Sequence, residues 1–385
     1  MKTGQFILFI AIVLTIYLLV NFYIFIRGLQ AIPAAGQYRL WFSIGYWLTA
    51  STFILARLVG HNYPCGFSGV FTWVGSFWLA FMLYFFILIV IFDLTRLSNH
   101  YFHFLPKSLY IDYERTKLVL LYLSCIMVSL IIVIGFINAR IPRIREIDIP
   151  ISKAIAGSKR VRVVLVSDIH MGTLVAQRKT NRLVKTINEL DPDIVLFAGD
   201  VVDEDLAPVI KNNLGMALSE IRSRLGVYTI TGNHEYIGGV EPALKYLSEH
   251  GLKILRDTIV LIDGRFYLAG RDDRDKFRFS GRKRKELNQI LEGIDRSYPV
   301  ILLDHQPFNL NKVAEEGIDL QLSGHTHHGQ IWPFNLITNA MYEVSWGYRK
   351  IGNTHFYVSS GYGTWGPPIR LGNRPEIVIL NLTFN

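Results

Sequence analysis

Five short groups of oxygen and imidazole donors lie in the second half of the chain: Asp168 and His170; Asp200 and Asp203; Asn233, His234 and Glu235; Asp304 and His305; His325 and His327. Four of them directly follow an apolar, β-branched run, and the group at His325 follows a shorter apolar one. Donors at strand ends can converge from far apart in sequence, and strand-to-loop corners are where α/β folds place their ligands. Asp168 and His170 alternate along an extended stretch, so both can face one cation if the chain turns there. Asp200 offers two oxygens and can bridge two cations. Asn233 adds a neutral amide oxygen, and His305, His325 and His327 add imidazoles. Oxygen and nitrogen donors without thiolate suit Mn, Fe or Zn. Two such ions about 3.5–4 Å apart can hold a hydroxide between them and clamp phosphoryl oxygens for in-line displacement. The chemistry expected of this donor set is therefore metal-dependent cleavage of a phosphoester bond.

In order, Asp-x-His, Gly-Asp-x-x-Asp, Gly-Asn-His-Glu, His and Gly-His-x-His resemble the calcineurin-like metallophosphoesterase superfamily, over about residues 160–385, with no motif missing. Any one motif alone is weak; five in order at strand ends are specific. The resemblance implies a sandwich of two β-sheets flanked by helices and a pair of divalent ions. It implies that Asp168, His170 and His327 hold one metal, that Asp200 bridges, and that Asn233, His305 and His325 hold the other. It further implies that His234 donates to the phosphoryl oxygen or the leaving group, oriented by Glu235 or Asp203. The tail, GYGTWGPPIR at 361–370 and RPE at 374–376, looks with GHTHHGQI at 324–331 like a bacterial membrane-associated branch. Relatives of that branch include UDP-diacylglucosamine pyrophosphatases and lipid- or cell-wall-associated phosphatases. His328 departs from the glycine expected there and reads as a loop histidine facing solvent ahead of one lining the site.

Each of these residues has a plainer reading as well. Asp203 can cap a following helix, and Glu235 can be a solvated loop carboxylate. Arg370, between glycine- and proline-rich stretches, is read as a contact for a substrate anion. Trp365 reads as packing at least as well as a stacking surface. Residues 265–285 are dense in charge, with eight further Lys and Arg besides Arg265 counted among Arg271, Arg274, Lys276, Arg278, Arg282, Lys283, Arg284 and Lys285. They form either a basic lip for phosphate headgroups or a solvated face interleaved with acids, and the second reading is ahead.

These residues need elements to hold them. Residues 161–167 form a β-branched run ending at Asp168, and 193–198 a buried strand ending at Gly199 and Asp200. Residues 177–190 carry a helical apolar face in Leu183, Val184, Ile187 and Leu190. Residues 209–225 and 241–250 also read as helices. Strands are expected at 227–231, 299–303, 319–323, 356–360 and 376–382, with a hairpin of 254–262 and 266–270 around Asp263-Gly264. Alternation followed by strand-rich sequence favours a layered α/β fold with more than one sheet.

The chain has 385 residues, 50% of them hydrophobic, which predicts a membrane part, and two domains fit the length. Residues 6–26, 40–56, 69–92 and 118–138 are free of charge and read as four transmembrane helices. The first is too long, and lacks the small-residue site, for a cleavable signal. The expected organisation is a transmembrane region at 1–139, a linker or first edge strand at 140–160, and the phosphoesterase domain at 161–385. Basic residues tie across the two sides when Lys2 is counted; the inter-helix loops alone place the termini outside. The net charge of +9 suits an anionic partner or the flanks of membrane helices. Two cysteines, Cys65 and Cys125, exclude a thiolate metal site and disfavour a disulfide framework.

The expectation is an integral bacterial membrane protein with an extracytoplasmic catalytic domain. It would hydrolyse a phosphoester or pyrophosphate bond of a lipid-linked substrate by attack of a metal-bridging hydroxide. The alternatives are a nuclease of the same superfamily and a non-catalytic scaffold. Nucleic acid is not expected as a partner, because the basic residues are interrupted by acids. A scaffold would have lost ligands, and none is lost.

Overall fold

The run at 161–166 alternates its side chains between two apolar cores, and that alternation sets the layers. Val163 and Leu165 pack with Ile194, Leu196, Ile301, Leu303, Leu320 and Leu322. Val164 and Val166 face the other way, onto Leu183, Val184 and Ile187 of the helix Gln177–Glu189. Such two-sided burial is what continuous β-branched runs allow. The computed structural model describes residues 3–34, 36–60, 66–157 and 159–385; Lys2 and Cys65 lie outside the described residues.

One six-stranded sheet contains β1 (Arg143–Ile151), β2 (Arg160–Val166), β3 (Ile194–Phe197), β4 (Val227–Thr229), β5 (Lys253–Ile254) and β12 (Glu376–Phe384), in the order β1-β12-β2-β3-β4-β5. The other contains β6 (Thr258–Ile262), β7 (Phe266–Gly270), β8 (Val300–Leu303), β9 (Leu320–Ser323), β10 (Gly347–Ile351) and β11 (Thr354–Val358), in the order β10-β11-β9-β8-β7-β6. The sheets share one apolar core. A third cluster covers the far face of the second sheet, where Leu302 and Phe356 meet Leu287, Ile290, Leu310 and Val313. The result is an α/β fold of two mixed sheets between helices.

Within 140–160, Arg143–Ile151 is the edge strand, paired in parallel with β12. The hairpin around Asp263 and Gly264 is present as β6 and β7. Residues 209–225 do not make one helix. Ala207–Lys211 is a short helix, and Leu214–Glu220 is 3-10. Asn213 between them is left-handed (φ 45°), a conformation that stops a helix and that Asn tolerates.

The N-terminal unit is helical. Ile10–Ala31, Ser68–Phe102 and Tyr113–Asn138 are long and apolar enough to cross a membrane. Three of the four expected crossings meet that length and apolarity. The stretch 40–56 lies in the helix Tyr38–Gly60, where Ser43, Thr49, Ser51 and Thr52 dilute the apolar residues. Asn21 ties the helices together. It is fully buried; its side-chain oxygen accepts from Trp78 Nε1 at 3.0 Å, and its backbone carbonyl accepts from Tyr46 Oη at 2.8 Å. A polar side chain in such a bundle is tolerated when its partners are internal. Cys125 is a free thiol.

Candidate metal centre

Asp168 follows β2, Asp200 follows β3, Asn233 follows β4, His305 follows β8, and His325 and His327 follow β9. The sheet topology thus carries all five groups to the carboxyl ends of strands. Asp168, His170, Asp200, His325 and His327 all adopt left-handed backbone, with φ from 46° to 71°. At each the chain turns sharply out of its strand, which is how Asp168 and His170 come to face one place. Non-glycine residues held there mark functional sites.

The motif glycines make room. A Cβ on Gly232 would collide with the Asp200 carboxylate, and one on Gly324 with the Asp168 carboxylate and Ser167. Glycine before the ligand is therefore a condition of close approach.

Two donor sets result. His170 Nε2 lies 3.0 Å from His327 Nε2, and His327 Nε2 lies 3.6 Å from Asp168 Oδ1. Asp200 Oδ2 lies 3.1 Å from His305 Nε2 and 3.9 Å from His170 Nε2. Asn233 Oδ1 lies 3.3 Å from His305 Nε2 and 2.9 Å from His325 Nδ1. The donor atoms of Asp168, His170 and His327, and those of Asp200, His305 and His325, lie within 4.8 Å of one another. Asp200 touches both sets. Two imidazole nitrogens facing each other at 3.0 Å need a proton or a cation between them, and the donor set fits divalent cations of the Mn, Fe or Zn type. Burial, with nearby His305, pulls the His325 pKa down to about 3. Burial, with His170 and Arg370, holds His327 well below its ordinary value. Both stay neutral, the form that ligates.

His234 sits beside this centre. Its backbone N donates to Asp200 Oδ1 at 2.9 Å, and its Nδ1 lies 3.0 Å from Asp203 Oδ1. Burial opposes charge on the ring, but Asp200 and Asp203 outweigh it and lift the pKa to about 9. Asp203 is not a helix cap, since the next helix starts at Ala207.

Glu235 does not orient His234. Its carboxylate accepts from the backbone N of Asp200 (3.1 Å), Val202 (3.1 Å) and Gly232 (2.7 Å). Glu235 is the third residue of the helix Asn233–Gly238, so its side chain turns back over the helix start while His234 points elsewhere. It is a staple joining two ligand loops. Glu235→Ala leaves three buried N–H groups unpaired and is expected to cost about 3 kcal/mol or more. The unfolding temperature should drop by about 10 °C, read by thermal unfolding of the purified full chain. An unchanged transition with lost turnover would restore the orienting role.

Arg370 is fully buried and lies behind His327 rather than in the open site. Its Nη2 is 3.2 Å from His327 Nδ1, and its remaining donors go to the carbonyls of Ser360, Gly361 and Gly363 and to Asn373 Oδ1. The expected substrate contact is corrected: a guanidinium committed to backbone carbonyls has no N–H left for an anion. Asn373, which the motifs do not single out, supports the same loop by donating to the carbonyls of His327 (2.9 Å) and His328 (3.0 Å). His328 is half-buried, 2.8 Å from Ser345 Oγ and against the Trp346 ring, so it is neither exposed nor a ligand. The exposed Trp365 ring lies 5.9 Å from that of His234.

Part of the charged stretch 265–285 is spent inside the fold, while Arg278, Arg282, Lys283 and Lys285 are exposed. Arg271 and Arg284 both pair with Asp304, at 3.1 and 2.7 Å, and Lys276 pairs with Asp257 and Asp272. It is not a free basic stripe. Arg274 is half-buried without an ion pair among the described residues. Its guanidinium lies 4.8 Å over the Phe308 ring, and its buried Nε has no hydrogen-bond partner among the described residues. Phe308 packs on Tyr342 at 4.8 Å, and Tyr342 lies edge-on to the ligand His325 at 6.1 Å.

The calcineurin-like phosphoesterase profile matches residues 161–329. A metallophosphoesterase of Aquifex aeolicus is 31% identical over 242 residues, 62% of this chain and 91% of that one. The chain belongs to the calcineurin-like metallophosphoesterase family. A metallophosphoesterase of Helicobacter pylori is 36% identical over 247 residues, covering 63% of this chain and 64% of its own length. A transmembrane protein with a metallophosphoesterase domain from Danio rerio is 33% identical over 268 residues, covering 66% and 61%. The match thus spans less than two thirds of those two longer relatives. The chain has clustered donors that could hold the two divalent metals its family uses. Its three apolar helices and its transmembrane-named relatives indicate a membrane protein.

Proposed function

We propose that the chain is a membrane-anchored phosphoesterase acting on a phosphoester or pyrophosphate bond of a lipid-linked substrate. The observation that carries this is the convergence of seven donor side chains, Asp200 among them. Asp168, His170 and His327 would hold one divalent cation, Asn233, His305 and His325 a second, and Asp200 would touch both. The cations would supply Lewis acidity at the phosphoryl oxygens and lower the pKa of water to about 7. His234 presents its outer ring nitrogen to the phosphoryl or leaving-group oxygen, and Asp203 fixes the ring. Arg370, anchored on the carbonyls of Ser360, Gly361 and Gly363, packs behind His327 and supports the loop that carries it.

Arg274 takes the substrate-anion role read earlier for Arg370. A half-buried guanidinium stacked on an aromatic ring can pair with a phosphate through its terminal N–H groups. Arg274→Ala should raise KM for an anionic substrate about tenfold or more and leave kcat and the unfolding temperature nearly unchanged. An unchanged KM would remove it from the site.

The lipid part of the proposal rests on apolar helices in the same chain, because a tether raises the local concentration of membrane-bound substrate. The narrower likeness to UDP-diacylglucosamine pyrophosphatases agrees with it. The helix Tyr38–Gly60 would complete a fourth crossing in a bacterial membrane, with the catalytic domain (161–385 together with β1) extracytoplasmic. The deciding experiment supplies Mn²⁺ to the purified full chain. It compares a soluble aryl phosphate with a lipid-linked diphosphate in mixed micelles. Hydrolysis of both, faster for the lipid, is expected. No hydrolysis of either defeats the enzyme, and no preference defeats the lipid substrate.

A further inference from the structure

A cavity of about 240 Å³ opens beside the start of β1, away from the donor cluster. Arg143, Arg145 and Arg374 line it, with Glu376 as its one acid. Glu376 is buried and fully engaged. It accepts from Arg145 Nε at 3.2 Å, Trp346 Nε1 at 3.1 Å, Tyr357 Oη at 3.1 Å and Ser360 N at 2.9 Å. Arg145 is held a second time, 4.2 Å over the Trp346 ring. One arginine is therefore matched to the one carboxylate. The side chains of Arg143 and Arg374 have no hydrogen-bond or ion-pair partner among the described residues, so two positive charges remain for an occupant.

The volume is room for on the order of eight waters, ample for a phosphate group and its first carbons. Asn138, another lining residue, is the last residue of the apolar helix Tyr113–Asn138. It is fixed there by donating to the carbonyls of Arg370 (2.9 Å) and Asn373 (2.7 Å). The cavity wall thus includes the last residue of an apolar, membrane-length helix, and the ends of such helices meet the lipid headgroups. Asn373 closes its inner wall and is the same residue that holds the His327 carbonyl.

We propose that this cavity binds the phosphate of an anionic phospholipid headgroup, with Arg143 and Arg374 as its donors. Two unpaired guanidiniums and a polar wall at the end of a membrane-length helix recognise that chemistry. Its occupancy does not depend on the reaction at the metal centre. The test uses the full chain in nanodiscs of phosphatidylcholine with phosphatidylglycerol, and counts by native mass spectrometry the lipids retained after detergent extraction. The wild type should keep phosphatidylglycerol preferentially. The Arg143→Ala/Arg374→Ala double variant should keep about tenfold less or lower still, from the ordinary worth of two basic residues at an anionic surface. Its unfolding temperature and its aryl phosphate turnover in phosphatidylcholine alone should match the wild type. Excess inorganic phosphate should displace the lipid if the phosphate group is what is read. Equal retention by wild type and variant overturns the site. Binding of inorganic phosphate with no lipid preference overturns the headgroup assignment.

Discussion

Asp200→Asn is expected to remove hydrolysis of an aryl phosphate by a factor on the order of a thousand or more. Loss of a merely supporting group at a metal site costs about 10–100-fold, and Asp200 stands closer than that. Its Oδ2 faces His305 at 3.1 Å and His170 at 3.9 Å, so one carboxylate serves both donor sets. Its Oδ1 meanwhile accepts the His234 backbone N at 2.9 Å. Asparagine has the same shape and keeps an oxygen for that bond, so the fold should survive while the bridging charge is lost. Metal analysis supplies the independent readout. The wild type should bind about two divalent ions per chain and the variant clearly fewer, with an unchanged unfolding temperature. Chelation of the wild type should reproduce the loss, and Mn²⁺ should restore it. Wild-type turnover and metal content in Asp200→Asn would refute the two-cation centre.

The ligands were legible because their chemistry and position coincide: each stands where an apolar run ends. The left-handed turns that aim them were not legible beyond the glycines beside them, since Asp and His enter that region only when the surroundings hold them there. Supporting residues escaped for a different reason. Arg370 and Asn373 act on backbone carbonyls, which leave no mark in a sequence. Glu235 was assigned to its neighbour His234, yet successive residues of a helix diverge. Its place three after Gly232 was the available sign of a staple. Strands buried on two faces, such as β3 and β8, were readable from composition alone. The edge strand β10, with polar residues in a half-exposed ladder, was not. The helix Tyr38–Gly60 shows the limit of counting uncharged residues: its stretch 40–56 is free of charge, yet its Ser and Thr residues leave it more polar than the other three helices.

His234→Gln is expected to lower kcat by about 10²–10⁴-fold, the usual worth of a positioned proton donor, with KM and metal content nearly unchanged. His234 reaches the centre through its backbone N, which glutamine keeps, while its ring leans on Asp203 at 3.0 Å. Asp203 also lies 3.6 Å from His170 Nδ1, so His170, Asp203 and His234 form a third group whose spacing would admit a cation. The variants separate the two roles. If Asp203 only holds the ring, Asp203→Asn should lower kcat by about 10–100-fold. It should add almost nothing once His234 is glutamine, because the two act as one unit. If the group were a metal site, His234→Gln would instead shed a metal ion, and the losses in kcat would follow metal content. Retained metal, a large fall in kcat and a second substitution without further effect would together assign His234 to the proton and Asp203 to the ring.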